Sequence, residues 1–224
     1  MISTWNLPLG DGGTAEELLV AFDRQRAIRM LVCPAWFDEA NKLRRFTLEV
    51  MRRLDEAGID TFLPDLPGCN ESLAPLDRQT LEGWRVGMAA AASSFKATHV
   101  LAIRAGTLIA PAHLPGWHYA AQSGQKLLRA MIRARTIAAR EAGREEKVEA
   151  LLALGRSEGL LLGGWPLGAG LIRALENAEP VLAEGQHELA QAMLGGPGLW
   201  LRAEPDEDAS QADALTQIIA ESLR

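Results

Sequence analysis

The chain has 224 residues, 48% of them hydrophobic and 23% charged, with a formal net charge of −6. This balance fits one soluble globular domain, residues 1–224, and folding of a chain this long buries roughly 70% of the unfolded surface. It argues against a general nucleic-acid-binding surface, and the most apolar stretch, Leu160 to Ile172, carries four glycines and a proline and falls short of the ~20 apolar residues that span a bilayer.

The leading segment, MISTWNLPLGDGG, lacks the basic and apolar regions of a secretory signal. Cys33 and Cys69 show no CxxC spacing. Both features point to a reducing, cytoplasmic setting, with the thiols as small buried residues.

Thr14-Ala-Glu-Glu reads as a capped helix start, with the acids at its positive end, running to about Arg26. The apolar run Ile28 to Cys33 reads as a buried strand that stops at Pro34. From Glu39 the period becomes helical: Leu43, Phe46, Val50, Leu54 and Ala57, closed by Gly58. Ile59 to Leu63 is the next strand and Pro64 to Gly68 a loop. Asp77 is placed to cap an alanine-rich helix reaching Phe95, and Thr98 to Ile103 is a third strand. Strands alternating with helices across short links call for a mostly parallel sheet covered on both faces. Beyond Gly106 the expected elements are a strand over 117–121, helices over 124–142 and 145–154, a strand over 159–165 and a helix over 167–177. A last core strand is expected over 199–203 and a terminal helix over 210–223. The segment from about 122 to 180 could lie over the sheet as a cap.

Asp65-Leu-Pro-Gly68-Cys-Asn-Glu-Ser72, directly after a strand, is similar to the DxxGxGxS loop of many α/β-hydrolases, with Asn70 in place of the second glycine. The next strand ends in Ala102-Ile103-Arg104-Ala105-Gly106, where that fold carries its GxSxG nucleophile elbow. Arg104 stands at the serine position. The implied fold is a three-layer α/β-hydrolase-like fold with a reduced, mostly parallel sheet flanked by helices. The order of Pro34 to Arg45, the Asp65 loop, the Arg104 elbow, Ser123 to Arg129 and Gly163 to Ile172 resembles the exosortase A system-associated hydrolases, specifically the second of their two groups. The likeness covers roughly residues 28 to 203. It implies a bacterial protein encoded beside machinery for exopolysaccharide synthesis and protein sorting, in a group whose elbow also favours arginine.

Serine-hydrolase chemistry needs a nucleophile, then an acid, then a histidine, in that chain order. A guanidinium stays protonated and cannot attack a carbonyl. Glu204, Asp206, Glu207 or Asp208 could supply the acid, but no histidine follows His187. Conventional serine hydrolysis is therefore not expected. Ser72, Cys69 and Ser123 lack a positioned base. His113 and His118 lack a third metal ligand, and no cofactor motif is seen.

An arginine at the carboxyl edge of the sheet, opening a helix, suits a carboxylate or phosphate. The expected ligand site is Arg104 with Asn41 and Lys42, and with Arg44, Asp65 and Ser123 nearby. The ligand would be an anionic small molecule or a glycan or lipid-linked intermediate. Against this stands an internal pairing of Arg104 with Asp65 or another carboxylate. Lys126, Arg129, Arg133 and Arg140 form one basic stripe, read as a solvated face or as a contact for acidic polymer or lipid headgroups. Arg135 falls among Leu127, Leu128, Met131 and Ile132, so it either snorkels or meets a buried acid or ligand. Two other functions stay open: a hydrolase with a non-standard site, and a structural interaction subunit. The final sheet edge is expected to be covered by the terminal helix or by a second subunit in a homo-oligomer.

Overall fold

A computed structural model describes residues 1–9 and 12–224. Gly10 and Asp11, inside the leading segment, lie outside the described residues. In chain order the elements are β1 (Ile2–Pro8), β2 (Thr14–Phe22), β3 (Arg29–Cys33), α1 (Phe37–Glu56), β4 (Asp60–Pro64), α2 (Leu81–Ser94), β5 (His99–Ile103) and β6 (Gly116–Tyr119). They continue with α3 (Gly124–Glu141), α4 (Val148–Glu158), β7 (Leu160–Leu162), β8 (Trp165–Leu167), α5 (Ala169–Leu175), β9 (Gln186–Leu189) and α6 (Ala209–Ser222).

The main sheet has seven strands in the order β1-β2-β4-β3-β5-β6-β9. β2 pairs antiparallel with both β1 and β4, and every other pairing in this sheet is parallel. β7 and β8 form a separate antiparallel hairpin. One face of the sheet packs against α1 and α6, through Phe46, Val50, Met51, Leu215 and Ile219. The other face shares one continuous core with α2, α3 and α5, through Trp84, Met88, Leu127, Leu171 and Leu175. This is the expected mostly parallel, helix-flanked class.

The parallel half follows from its residues. β3 and β5 are almost wholly buried and apolar, as strands covered on both faces must be. α1 buries one stripe, starts with Asp38 and Glu39 in its first turn, and ends at Gly58, where φ is +89°. Ser123 Oγ caps α3 by accepting from Lys126 N at 3.3 Å.

Four expectations are corrected. Residues 14–22 form β2, not a helix. The strand pairs on both sides and buries Leu19, Val20 and Ala21 in succession, and these contacts override the cap-like Thr14-Ala-Glu-Glu. α2 is capped by Thr80, whose Oγ1 accepts from Gly83 N at 3.0 Å, while Asp77 sits in the preceding 3-10 turn. Residues 199–201 form a 3-10 turn, and the last strand is the polar Gln186–Leu189. Finally, α6 packs against α1 rather than along β9.

Candidate functional site

The site forms where β3, β5 and β6 end together. Cys33 is in register with Ala102, and Ile103 with Tyr119, so Arg104 and Ala120 leave the sheet side by side. Arg104 has φ +53°, the left-handed conformation that a sharp strand-to-turn reversal requires. Phe37 (φ +55°), the first residue of α1 after β3, and Ala120 (φ +48°), directly after β6, share it. Three non-glycine residues in this costly region thus ring one spot. Gly106 makes the reversal fit: a Cβ there would lie 2.3 Å from the Cys33 carbonyl oxygen.

The segment after the elbow corrects one expectation. Residues 104–109 form a 3-10 helix that ends before Pro111. The elbow itself therefore opens no long helix; the helix start that faces this spot is that of α1, and its first-turn acids Asp38 and Glu39 already lie against that positive end.

The Arg104 guanidinium is held from three sides. Nε and Nη2 donate to the two carboxylate oxygens of Glu39, each at 2.9 Å. Nη1 donates to the Ala120 carbonyl at 2.8 Å. The planar group also lies 4.0 Å from the centre of the Trp200 ring, a cation–π contact. Gln122 completes the cluster: with its amide turned, it donates to Glu39 at 3.2 Å and accepts from Arg104 Nη2 at 3.1 Å. The carboxylate paired with Arg104 is therefore Glu39 and not Asp65.

This cluster floors a cavity of about 800 Å³. Asn41 and Lys42 line it beside Arg104. Lys42 is engaged with Asp38 at 2.9 Å. Its apolar walls include Trp36, Phe37, Leu127, Met131, Trp165 and Trp200. The sequence reading missed Glu39, Gln122 and the aromatic walls. The signal for Glu39 was present: an acid in the first turn of the helix after β3, whose start faces the elbow.

The other expected residues lie elsewhere. Arg44 reaches the buried Asp65 at 3.4 Å beside a separate cavity of about 250 Å³. Asp65 also accepts from Asn70 Nδ2 at 2.8 Å and so organises its own loop. Ser123 is the α3 cap. Arg135 pairs through two bonds, 2.7 and 2.8 Å, with Glu146 and donates to the Leu161 carbonyl at 2.9 Å, tying α3 to the β7–β8 hairpin.

Among the described residues no histidine meets any of the remaining nucleophile candidates. Ser72 Oγ donates to Glu17 at 2.9 Å and accepts from the Gly68 amide at 2.9 Å. Burial pushes the Cys69 thiol up to about 12, and the Cys33 thiol rises for the same reason. His99 begins β5, at the opposite end from the elbow, and stacks on Trp117. His118 is fully buried in β6, and burial lowers its pKa. Three of the four acids offered beyond β9 are engaged: Asp206 pairs with Arg202, Glu207 with Arg45, and Asp208 caps α6. Among the described residues no group of three or more His, Cys, Asp or Glu side chains could hold a metal ion, and no helix is long and apolar enough to cross a membrane.

No family model matches the chain, and no curated protein matches it. Solved structures do. The chain is similar to α/β hydrolase domain-containing protein 10 from mouse at 10% identity and TM-score 0.59, over 99% of this chain and 98% of that one. It is similar to Est1E from Butyrivibrio proteoclasticus at 13% identity and TM-score 0.56, over 98% and 97%. A proposed hydrolase of Agrobacterium vitis aligns at 16% identity and TM-score 0.46, over 62% of this chain and only 60% of its own length. The chain has the α/β-hydrolase fold.

Proposed function

We propose that this protein binds a ligand at the hydrolase site without serine-hydrolase chemistry, as an accessory protein of an exosortase and exopolysaccharide system. The carrying observation is the arginine held in left-handed backbone at the nucleophile's place, on the floor of a cavity of about 800 Å³. Glu39, Ala120 and Gln122 take four of its N–H donors, which leaves one of the five a guanidinium carries. Glu39, Gln122 and Asn41 add acceptors and donors around it. A head with hydroxyls and an anionic group fits this floor, and Trp36, Trp165 and Trp200 suit the sugar faces or apolar remainder of a glycan or lipid-linked intermediate.

The reading as a structural interaction subunit is less well supported. Trp5, Trp36, Trp84 and Trp117 are buried, and the two half-buried tryptophans, Trp165 and Trp200, line the cavity. Nothing in that distribution marks an open docking face.

Intact-mass measurement after exposure to a fluorophosphonate tests the chemistry, with a labelled hydrolase as control. No adduct is expected. A stoichiometric adduct on Ser72 or Ser123 would favour a hydrolase with a non-standard site. Tryptophan fluorescence titration with uronic-acid and phosphorylated oligosaccharides tests the binding: a salt-sensitive change, lost in Arg104→Met, is expected.

A further inference from the structure

Lys126, Arg129, Arg133 and Arg140 are all exposed on α3. At 3.6 residues per turn they fall within an arc of about 60°. None of them pairs with a carboxylate among the described residues, whereas Arg135, on the opposite side of the helix, is tied to Glu146. The helix carries one acid, Glu141. This stripe belongs to a chain whose total charge is −6, so cations are concentrated on one face while the rest of the surface is more acidic than the total.

Apolar groups accompany the cations. Ile137 follows the stripe and is 48% exposed; Val148, at the start of α4, is 43% exposed. Leu128 and Ile132 of α3, with Val148 and Leu152 of α4, bound a groove of about 660 Å³ that Arg129 and Arg133 line on one side and the neutralised Arg156–Glu176 pair on the other. The Arg104 cavity meets other α3 residues, Leu127, Ala130, Met131 and Ala134. The stripe and its groove are therefore separate from the site described above.

We infer that this face docks on an anionic lipid bilayer. The four cations meet the headgroup phosphates, and Ile137, Val148 and the groove take up the apolar boundary beneath them. A basic stripe with apolar neighbours is the interfacial form of helix. A soluble acidic polymer would use the cations and have no need of the apolar groups. Acidity elsewhere repels the same membrane, so it fixes the orientation of docking. This inference does not depend on the ligand proposed for the Arg104 cavity.

Co-sedimentation of the full chain with vesicles tests it. Binding to phosphatidylcholine containing phosphatidylglycerol is expected, falling as salt rises, with little binding to phosphatidylcholine alone. Charge reversal to Glu at Lys126, Arg129, Arg133 and Arg140 should weaken binding at least about ten-fold. The milder pair Arg129→Gln with Arg133→Gln should weaken it less and keeps the test open if the reversal misfolds. Four control reversals, at Arg52, Arg78, Lys96 and Arg224, should weaken it far less. Equal loss in the control, or binding to polygalacturonate but not to anionic vesicles, would overturn the inference.

Discussion

Two ion networks sit at opposite ends of the parallel strands. At the amino-terminal end the carboxylate of Asp60, wholly buried, accepts four bonds: from the Arg24 and Arg26 amides at 3.1 and 2.8 Å, from Arg26 Nη1 at 3.2 Å and from Arg29 Nη1 at 3.0 Å. Asp55 and Asp23 satisfy the same arginines from outside. At the carboxyl end Arg104 has one carboxylate, one carbonyl, one amide and one ring, and one N–H bond to spare beside a large cavity. Both are buried networks of charge. The first has every acceptor position filled, so it acts as glue between loops. The second keeps unspent hydrogen-bonding capacity next to empty space, which is what a binding site needs. An ion pair alone distinguishes nothing; the leftover valence beside a cavity does.

The comparison predicts unequal costs. Asp60→Ala leaves the Arg24 and Arg26 amides without their acceptor and takes from Arg26 and Arg29 the one wholly buried carboxylate they share, so urea unfolding should show a loss of about 3–5 kcal/mol. A loss below about 1 kcal/mol would break the claim that this end is glue. Arg104→Met leaves Glu39 without its partner, but that side chain retains 15% exposure, so the expected loss is smaller, about 2–3 kcal/mol. Adding Glu39→Gln should recover about half of it, because no lone charge then remains. If the double variant is as unstable as the single one, Arg104 is held by something other than Glu39.

Much of the first network's frame was legible in the sequence, and much of the second's was not. Ile28 to Cys33, Ile59 to Leu63 and Thr98 to Ile103 read as strands because parallel strands are continuous apolar runs. The elbow was legible because Gly106 and its strand fix the position. Glu39 carries a local signal, an acid in the first turn of the helix after β3, but 65 positions separate it from Arg104 and the register of β3 against β5 is what unites the pair. β2 was misread because a strand buried on both faces shows no alternation, while its first residues mimic a helix cap. β9 was missed because Gln186 is buried by donating to the Pro111 and Leu114 carbonyls, a reason invisible in a polar tetrapeptide. Leu199 to Leu201 has strand-like composition, yet nothing pairs with it and it coils as a 3-10 turn.

The glue also sets the acid limb of stability. Hydrogen bonding to Arg29 holds Asp23 at about 2, and bonds from Arg24 lower Asp55. Each folded pKa lies below its unfolded value, so the stabilisation is fully present above about pH 4. It is lost as pH falls through about 2. Unfolding midpoints measured from pH 5 to 2 should therefore drop, and Asp23→Asn should flatten part of that slope. Half-exposed Asp23 makes this effect smaller than that of Asp60→Ala.

The smallest effect has the opposite sign and lies near the carboxyl end. Glu17 is 2% exposed and accepts one bond, from Ser72, while Oε2 has no partner. Burial raises its pKa and the charge of Asp65 adds to the rise; the Ser72 bond only partly offsets them. A carboxyl whose folded pKa exceeds the unfolded value destabilises the protein when ionised, so its cost sets in as pH rises past the unfolded value and is complete once pH exceeds the folded one. Glu17→Gln should therefore stabilise the protein at pH 7, by less than Asp60→Ala destabilises it. The gain should vanish below about pH 4, where the native glutamate is already neutral. Unfolding curves of the two proteins at pH 7 and pH 4 check both parts. A gain that persists unchanged at pH 4 would mean that packing, and not the unpaired carboxylate oxygen, is what the substitution improves.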